Sequence, residues 1–264
     1  MESYEFLAGS YDTLTWDVDY VRWANYLEKL LRLKEDHWDN EKKEWGPPGT
    51  ILDLCCGTGS LTLELARRGY KMIGVDRSPE MLAIAEQKCR EAGLAVPFYC
   101  QDITSLRLPE KVDMCICTLD SVNYVLQPKK LQKAFRRIWE NMKRGSTFVF
   151  DVDTPEKLRA MDGQVFLDET EDVFCVWRGE YSEKKRICTF WMDIFQKEGG
   201  LWRRGEEIHQ EYAYTMQELR QYLKEAGFMY VTRHGELKMG KPKEGEQRIF
   251  FRASKPIIPR GRYQ

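Results

Sequence analysis

Ile51 to Ala66 reads ILDLCCGTGSLTLELA, and this stretch decides the fold. Apolar and small residues around Asp53 mark a buried strand, Gly57 and Gly59 open a tight turn, and Leu61, Leu65 and Ala66 recur at helical spacing. A glycine turn between strand and helix brings backbone N–H groups up to a ligand, because no Cβ stands in the way. A dinucleotide fingerprint needs a glycine or alanine three residues after the second glycine, where this chain has Thr62. That counts against a nicotinamide-dependent oxidoreductase.

Working outward, Gly69 ends the helix and Met72 to Asp76 (MIGVD) forms a second apolar strand. Ser78, Pro79 and Glu80 then supply a cap, a first-turn proline and a favourable acid for a helix that buries Met81, Leu82, Ala85 and Cys89 and stops at Gly93. Asp76 stands where α/β nucleotide binders place an acid that accepts from both ribose hydroxyls. Val96 to Cys100 is a third strand, followed by Asp102, which on its own also reads as a turn acid capping its loop. Val112 to Leu119 (VDMCICTL) is apolar enough for a central strand covered on both faces, and it ends in the polar cluster Asp120, Ser121, Asn123 and Tyr124. Ligands of open α/β sheets bind beyond such carboxyl ends.

A helix over Pro128 to Lys143 and a strand over Thr147 to Asp153 follow, so five strands with four intervening helices are expected. Between Gly163 and Tyr214 short alternating runs separated by SEKK and KEGG predict antiparallel hairpins. Phe174, Trp177, Phe190, Trp191, Phe195 and Trp202 are expected to form the core of that insertion. A helix capped by Thr215 runs to Ala226, and strands at Phe228 to Thr232 and Gln247 to Ala253 complete the sheet. Ahead of the core, aromatic residues 4–16 read as a packed segment, Val21, Ala24, Leu27, Leu30 and Leu31 as a helix face, and Lys34 to Trp45 as a helix extension and linker. Lys255 to Gln264 reads as a loose tail.

Asp53, Gly57 and Gly59 resemble motif I of class I S-adenosylmethionine-dependent methyltransferases, with Cys55 in place of the first glycine; Asp76, Asp102 and Ile103, and the cluster at Asp120 resemble that family's later motifs in order. Tyr4, Phe6, Tyr11, Asp12, Asp19 and Tyr20 are similar to the start of a bacterial subgroup whose N-terminal segment lies over the cofactor. The resemblance implies an α/β, doubly wound, seven-stranded Rossmann-like sheet. Residues 1–48 form its N-terminal helical cap, 49–160 the S-adenosylmethionine-binding core, 161–213 an antiparallel β lid, 214–255 the end of the core and 256–264 the tail. The implied cofactor-binding residues are Tyr11, Asp53, Cys55, Gly57, Gly59, Asp76, Arg77, Met81, Asp102, Ile103 and Leu119, with Asp120 and Asn123 beside the acceptor and no metal. Packing between helix and sheet is an equal reading of Tyr11.

Composition narrows the partners. Lysine plus arginine (41) nearly cancels aspartate plus glutamate (42), so no global positive field recruits nucleic acid or an anionic membrane. With 42% hydrophobic residues in 264, the chain has material for a large core, while no apolar run reaches membrane-spanning length. The eight cysteines show no CxxC spacing, and the opening MESYEF carries acids where a signal peptide carries bases, so a reducing cytoplasm is expected.

Methyl transfer needs mainly positioning, with proton removal where the acceptor is an amine. On the strand EEIHQEYAY, alternation puts Glu207, His209 and Glu211 on one face. Facing inward, His209 orients or deprotonates the acceptor; facing outward, all three are solvated. The expected partner is a small-molecule methyl acceptor, bound by a monomer or homodimer without nucleic acid or membrane. An RNA or protein methyltransferase and a non-catalytic S-adenosylmethionine-binding module are the alternatives.

Overall fold

The structure is a computed structural model that describes Tyr4 and residues 6–32, 38–39, 44–45 and 49–257. Its largest sheet has seven strands. Five are parallel: β3 (Ile51–Leu54), β4 (Met72–Asp76), β5 (Phe98–Cys100), β6 (Val112–Cys117) and β7 (Met142–Asp153). Antiparallel strands β12 (Met229–Gly235) and β13 (Arg248–Ser254) close one edge, giving the order β12-β13-β7-β6-β3-β4-β5. The chain therefore reverses direction across the sheet between β3 and β6, which opens a crevice at their carboxyl ends.

Strand alternation sorts the core into two layers. Leu52, Cys115, Phe148, Phe150 and Phe251 face α5 (Pro128–Asn141) and α7 (Met216–Ala226), whose Leu131, Phe135, Leu219 and Leu223 complete that layer. Ile51, Met114, Ile116, Val149 and Phe250 face α2 (Tyr20–Arg32) and α3 (Ser60–Arg67) through Leu27, Leu30, Leu61 and Leu65. The N-terminal helix is thus a wall of the core, while the residues ahead of it, a 3-10 turn over Leu7–Ser10 and α1 (Tyr11–Leu14), form the strap that reaches the cavity. Val21, expected on the buried face of α2, is exposed.

Helix α4 (Pro79–Glu91) buries the four expected residues, Met81, Leu82, Ala85 and Cys89, and Ser78 caps it through Met81 N–H. Thr215 and Glu218 form a reciprocal capping box on α7, and Gly227 ends it at φ +106°.

Several expectations fail locally. Three α-helices, not four, separate the parallel strands, because a 3-10 turn over Ile103–Ser105 carries the chain from β5 to β6. Helix α5 ends at Asn141 and β7 begins immediately, its first residues bending onto β6 through a register shift. Trp38–Asp39 (β1) and Glu44–Trp45 (β2) pair as antiparallel strands where a helix extension was expected. Lys255 is buried, not the start of a loose tail: its ammonium donates to the carbonyls of Trp139 and Met142, and burial pushes its pKa down to about 8. Residues 258–264 of that tail lie outside the described residues.

After α6 (Pro155–Ala160), strands β8 (Val165–Glu169), β9 (Val173–Ser182), β10 (Ile187–Glu198) and β11 (Leu201–Tyr212) form a second, wholly antiparallel sheet. Its buried face carries Val173, Cys175, Met192 and Ile194, packed against Leu7 and Leu14 of the strap. The aromatic core expected for this unit forms only in part: Trp177 and Phe190 are half-buried against the inner clusters, whereas Trp191 and Trp202, 43% and 49% exposed, sit on the outer side of the pleat.

Candidate active site

A cavity of about 300 Å³ opens at the carboxyl ends of β3, β4 and β6. Glycine and strain shape its floor. Gly57, at φ +54°, has nothing within 4 Å of where a Cβ would stand, leaving its backbone open to a ligand. Gly59, at φ +72°, does other work: a Cβ there would lie 2.8 Å from Ala85 Cβ, so it lets α3 approach α4 and does not line the cavity. Cys55 holds φ +56° without being glycine, a conformation that costs L-residues roughly 1–2 kcal/mol.

Asp76 ties the turn together, accepting from Gly57 N–H and Ser78 N–H, both at 2.9 Å. A carboxylate has about four lone-pair directions, so acceptor capacity remains on the cavity side, which Asp76 lines with Arg77 and Met81. Asp102 also lines the cavity while capping its own turn through Thr104 N–H at 2.7 Å, so both roles weighed for it are structurally compatible. Ile103, Leu119 and Cys55 complete the cavity-lining members of the expected set on the core side.

Asp53 also borders the cavity but points into the protein, 2% exposed, where it accepts from the Thr62 hydroxyl at 2.5 Å. Thr62, where a dinucleotide fingerprint would have glycine, thus serves as the acid's partner. Burial pushes the Asp53 carboxyl up to about 7; the Thr62 bond opposes this and the nearby Asp76 charge adds to it. Between the ordinary value of 3.8 and about 7, the native state keeps a proton that the unfolded chain has released. Stability from this group is therefore full at low pH and is lost as pH rises through that window. Relative to Asp53→Asn, the protein should lose up to about 1.4 kcal/mol per pH unit there. Urea titrations at several pH values measure it, and parallel stability profiles would exclude the assignment.

The strap supplies the roof. Tyr11 and Tyr4 line the cavity, while Asp12 accepts from Thr58 at 2.6 Å, from Ser60 at 3.0 Å and from the Lys88 ammonium at 2.6 Å. This docking of Asp12 on the glycine turn was missed in the sequence, where the Tyr-Asp pair was its sole signal.

β11 turns this face into the protein, so Glu207, His209 and Glu211 are all buried and not solvated, yet none of the three lines the cavity. His209 does not reach the cavity wall itself. Its Nδ1 lies 3.4 Å from the hydroxyl of Tyr124, which does line the cavity, and its Nε2 lies 2.7 Å from Glu207. The opposite carboxylate oxygen of Glu207 accepts from the N–H groups of Phe6 and Leu7 at 2.7 and 2.8 Å, and the oxygen shared with His209 accepts from Tyr4 N–H at 2.7 Å. Burial pushes the Glu207 carboxyl up, but the His209 bond and the strap N–H groups outweigh it and hold it below its ordinary range. Tyr124 and Glu207, and every strap residue except Tyr11, were not chosen as site residues, because only the folded chain brings Tyr4, Phe6 and Leu7 against Glu207.

Asn123, expected beside the acceptor, is fully buried away from the cavity. Its amide donates to the carbonyls of Asp153 and Tyr212 and accepts from Asp153 N–H, stapling β11 to β7. Asp120 is likewise absent from the cavity wall and is paired with Arg248 at 2.6 Å. Leu119 and Asp120 are both left-handed, at φ +57° and +51°, and the buried carboxylate of Asp151 pins the pair by accepting both their N–H groups at 2.8 and 3.0 Å.

Residues 51–145 match the family described as methyltransferase domain, and with the sheet order above they give this chain the class I, Rossmann-like fold of S-adenosylmethionine-dependent methyltransferases. A protein of Geobacillus sp. (strain WCH70), named only provisionally as a methyltransferase, is 29% identical over 96% of this chain and 100% of its own length. A S-adenosylmethionine-dependent methyltransferase from Clostridium acetobutylicum ATCC 824 superposes with a TM-score of 0.82 at 29% identity, covering 97% of this chain and 100% of that one. The S-adenosylmethionine-bound amino pentose methyltransferase CalS10 from Micromonospora echinaspora shares the fold at 17% identity and a TM-score of 0.71, over 96% and 98% of the two chains. Among the described residues no helix is long and apolar enough to cross a membrane.

Proposed function

We propose that the chain binds S-adenosylmethionine in the cavity and transfers its methyl group to a small acceptor entering between the strap and β11. The observation that carries this reading is the cradle at the strand ends: a glycine turn open at Gly57, with Asp76 and Asp102 both lining the cavity. Asp76 suits a ribose diol, Asp102 an adenine amino group, and the turn N–H groups the amino-acid end. Bound there, the group supplies an electrophilic methyl carbon.

The chain's own work is to orient the acceptor and accept its proton. Tyr124 is the group that touches the cavity, and His209 acts through it as a positioning residue and proton acceptor, its tautomer set by Glu207. The 3.4 Å separation is long for a hydrogen bond, as catalytic contacts often are before an acceptor closes them. The strap and β11, joined through Glu207, exclude water from the acceptor side.

Calorimetric titration with S-adenosylmethionine, S-adenosylhomocysteine and NAD tests the reading. Both adenosyl ligands should bind, NAD should not, and Asp76→Ala should weaken the adenosyl ligands roughly tenfold to a hundredfold, the loss expected for hydrogen bonds to a charged acceptor. A folded protein that binds neither adenosyl ligand would exclude the reading.

A further inference from the structure

Beside the tyrosine wall lies a buried charge cluster that the reading above does not use. Asp120, after β6, Asp153, ending β7, and Glu211, on β11, bring one carboxylate oxygen each to within 4.8 Å of one another. Asp151 adds a fourth acid; it, Asp153 and Glu211 are buried and Asp120 is half-buried. Two cations answer them. Arg248 pairs with Asp151, with Asp120 at 2.6 Å and with Asp153 at 3.1 Å, while Lys157 lies 2.5 Å from Asp153.

Glu211 is left over. Its Oε2 is buried without a hydrogen-bond partner among the described residues, and the residue is 5% exposed. A buried carboxylate oxygen with no donor is costly unless a cation or a proton meets it. Burial and the charges of Asp120 and Asp153 push its carboxyl well up, and the charges of Lys157 and Arg248 oppose the rise only in part.

What separates this cluster from the cavity is aromatic. Tyr4, Tyr11 and Tyr124 line the cavity, the rings of Tyr4 and Tyr11 meeting edge to face at 6.0 Å and those of Tyr4 and Tyr124 lying 5.9 Å apart. The hydroxyls of Tyr4 and Tyr124 both stand in the field of Asp120 and Glu211. Aromatic faces backed by an unanswered carboxylate are the surroundings that favour an organic cation.

We propose that the acceptor binds as an alkylammonium, with Tyr4, Tyr11 and Tyr124 as its walls and the Glu211 carboxylate behind them as its counter-ion. This rests on the methyl-transfer reading and names the substrate class for the same site. A divalent metal suits the cluster less well, because Arg248 already occupies the Asp120 and Asp153 oxygens that such an ion needs. An ammonium needs only the oxygen that Glu211 leaves open.

The experiment uses the full chain saturated with S-adenosylhomocysteine, titrated calorimetrically with cyclohexylammonium, cyclohexanol, cyclohexanecarboxylate and Mg²⁺. Cyclohexylammonium should bind at least about tenfold more tightly than its neutral and anionic counterparts, and Glu211→Gln should lose about tenfold in that affinity with S-adenosylhomocysteine binding unchanged. Equal binding of the alcohol or carboxylate, no binding of any probe at millimolar concentration, an unaffected variant, or binding of Mg²⁺ in place of the ammonium would each overturn the proposal. Failure of S-adenosylhomocysteine itself to bind would overturn the parent reading instead, and that is measured first in the same sample. Thermal unfolding of Glu211→Gln confirms that the variant is folded.

Discussion

Arg248→Met should destabilise the protein by about 3–5 kcal/mol, the cost of removing one partner from a buried ion cluster. Arg248 is the cation shared by Asp120, Asp151 and Asp153, and its guanidinium also lies 5.8 Å from the centre of the Trp23 ring. Methionine keeps much of the apolar volume, so the loss reports on charge more than on packing. Without Arg248 the three acids face one another. The deficit should therefore be largest near pH 8 and shrink as pH falls and the carboxyls take up protons, Asp153 already being held up at about 6 by burial, with the charge of Asp120 adding to the rise. Guanidinium titrations at pH 5 and pH 8 measure both the size and the sign. A loss below about 1 kcal/mol at both values would mean that the cluster does not hold the Leu119–Asp120 turn in its left-handed conformation.

His209→Asn should slow methyl transfer by about 10²–10⁴-fold, the usual range for removing a proton acceptor, while affinity for S-adenosylhomocysteine stays unchanged. The two halves of that expectation follow from placement. The residues proposed to hold the donor lie on β3, β4 and the loop after β5, whereas His209 lies on β11 and meets the cavity only through Tyr124. A purely structural role would also slow turnover, so the deciding readout is the pH profile. The pH profiles of kcat should differ between wild type and variant. A variant with reduced kcat but an unaltered profile would reduce His209 to a prop for Tyr124. Single-turnover assays on any acceptor the wild type methylates are sufficient.

Much of this architecture was legible along the chain because parallel strands and their helices announce themselves locally. VDMCICTL is buried on both faces and therefore reads as unbroken apolar sequence, and Ser78, Thr215 and Gly227 mark helix ends through short-range backbone chemistry. The misses share a cause. The crossover from β5 to β6 lacks an α-helix, and residues 142–145 belong to a strand, because the partner strand β6 overrides local preference there. Trp191 and Trp202 point outward because the partner for the other face of the second sheet is a strap about 190 residues earlier in the chain, which no periodicity inside residues 161–213 reveals.

The sequence by itself determined the class of fold and the strand-end wall of the cavity, since Gly57, Asp76 and Asp102 each sit at the end of a strand readable from its own residues. Tertiary structure alone decided the side towards β11. Only folding showed that Asn123 is a staple, that Asp120 belongs to an ion cluster with Arg248, and that Glu207 joins His209 to the backbone of Tyr4, Phe6 and Leu7. The physical reason is range. Strand burial and helix capping depend on neighbours a few residues away, whereas a buried charge takes its meaning from whichever distant group folding places against it.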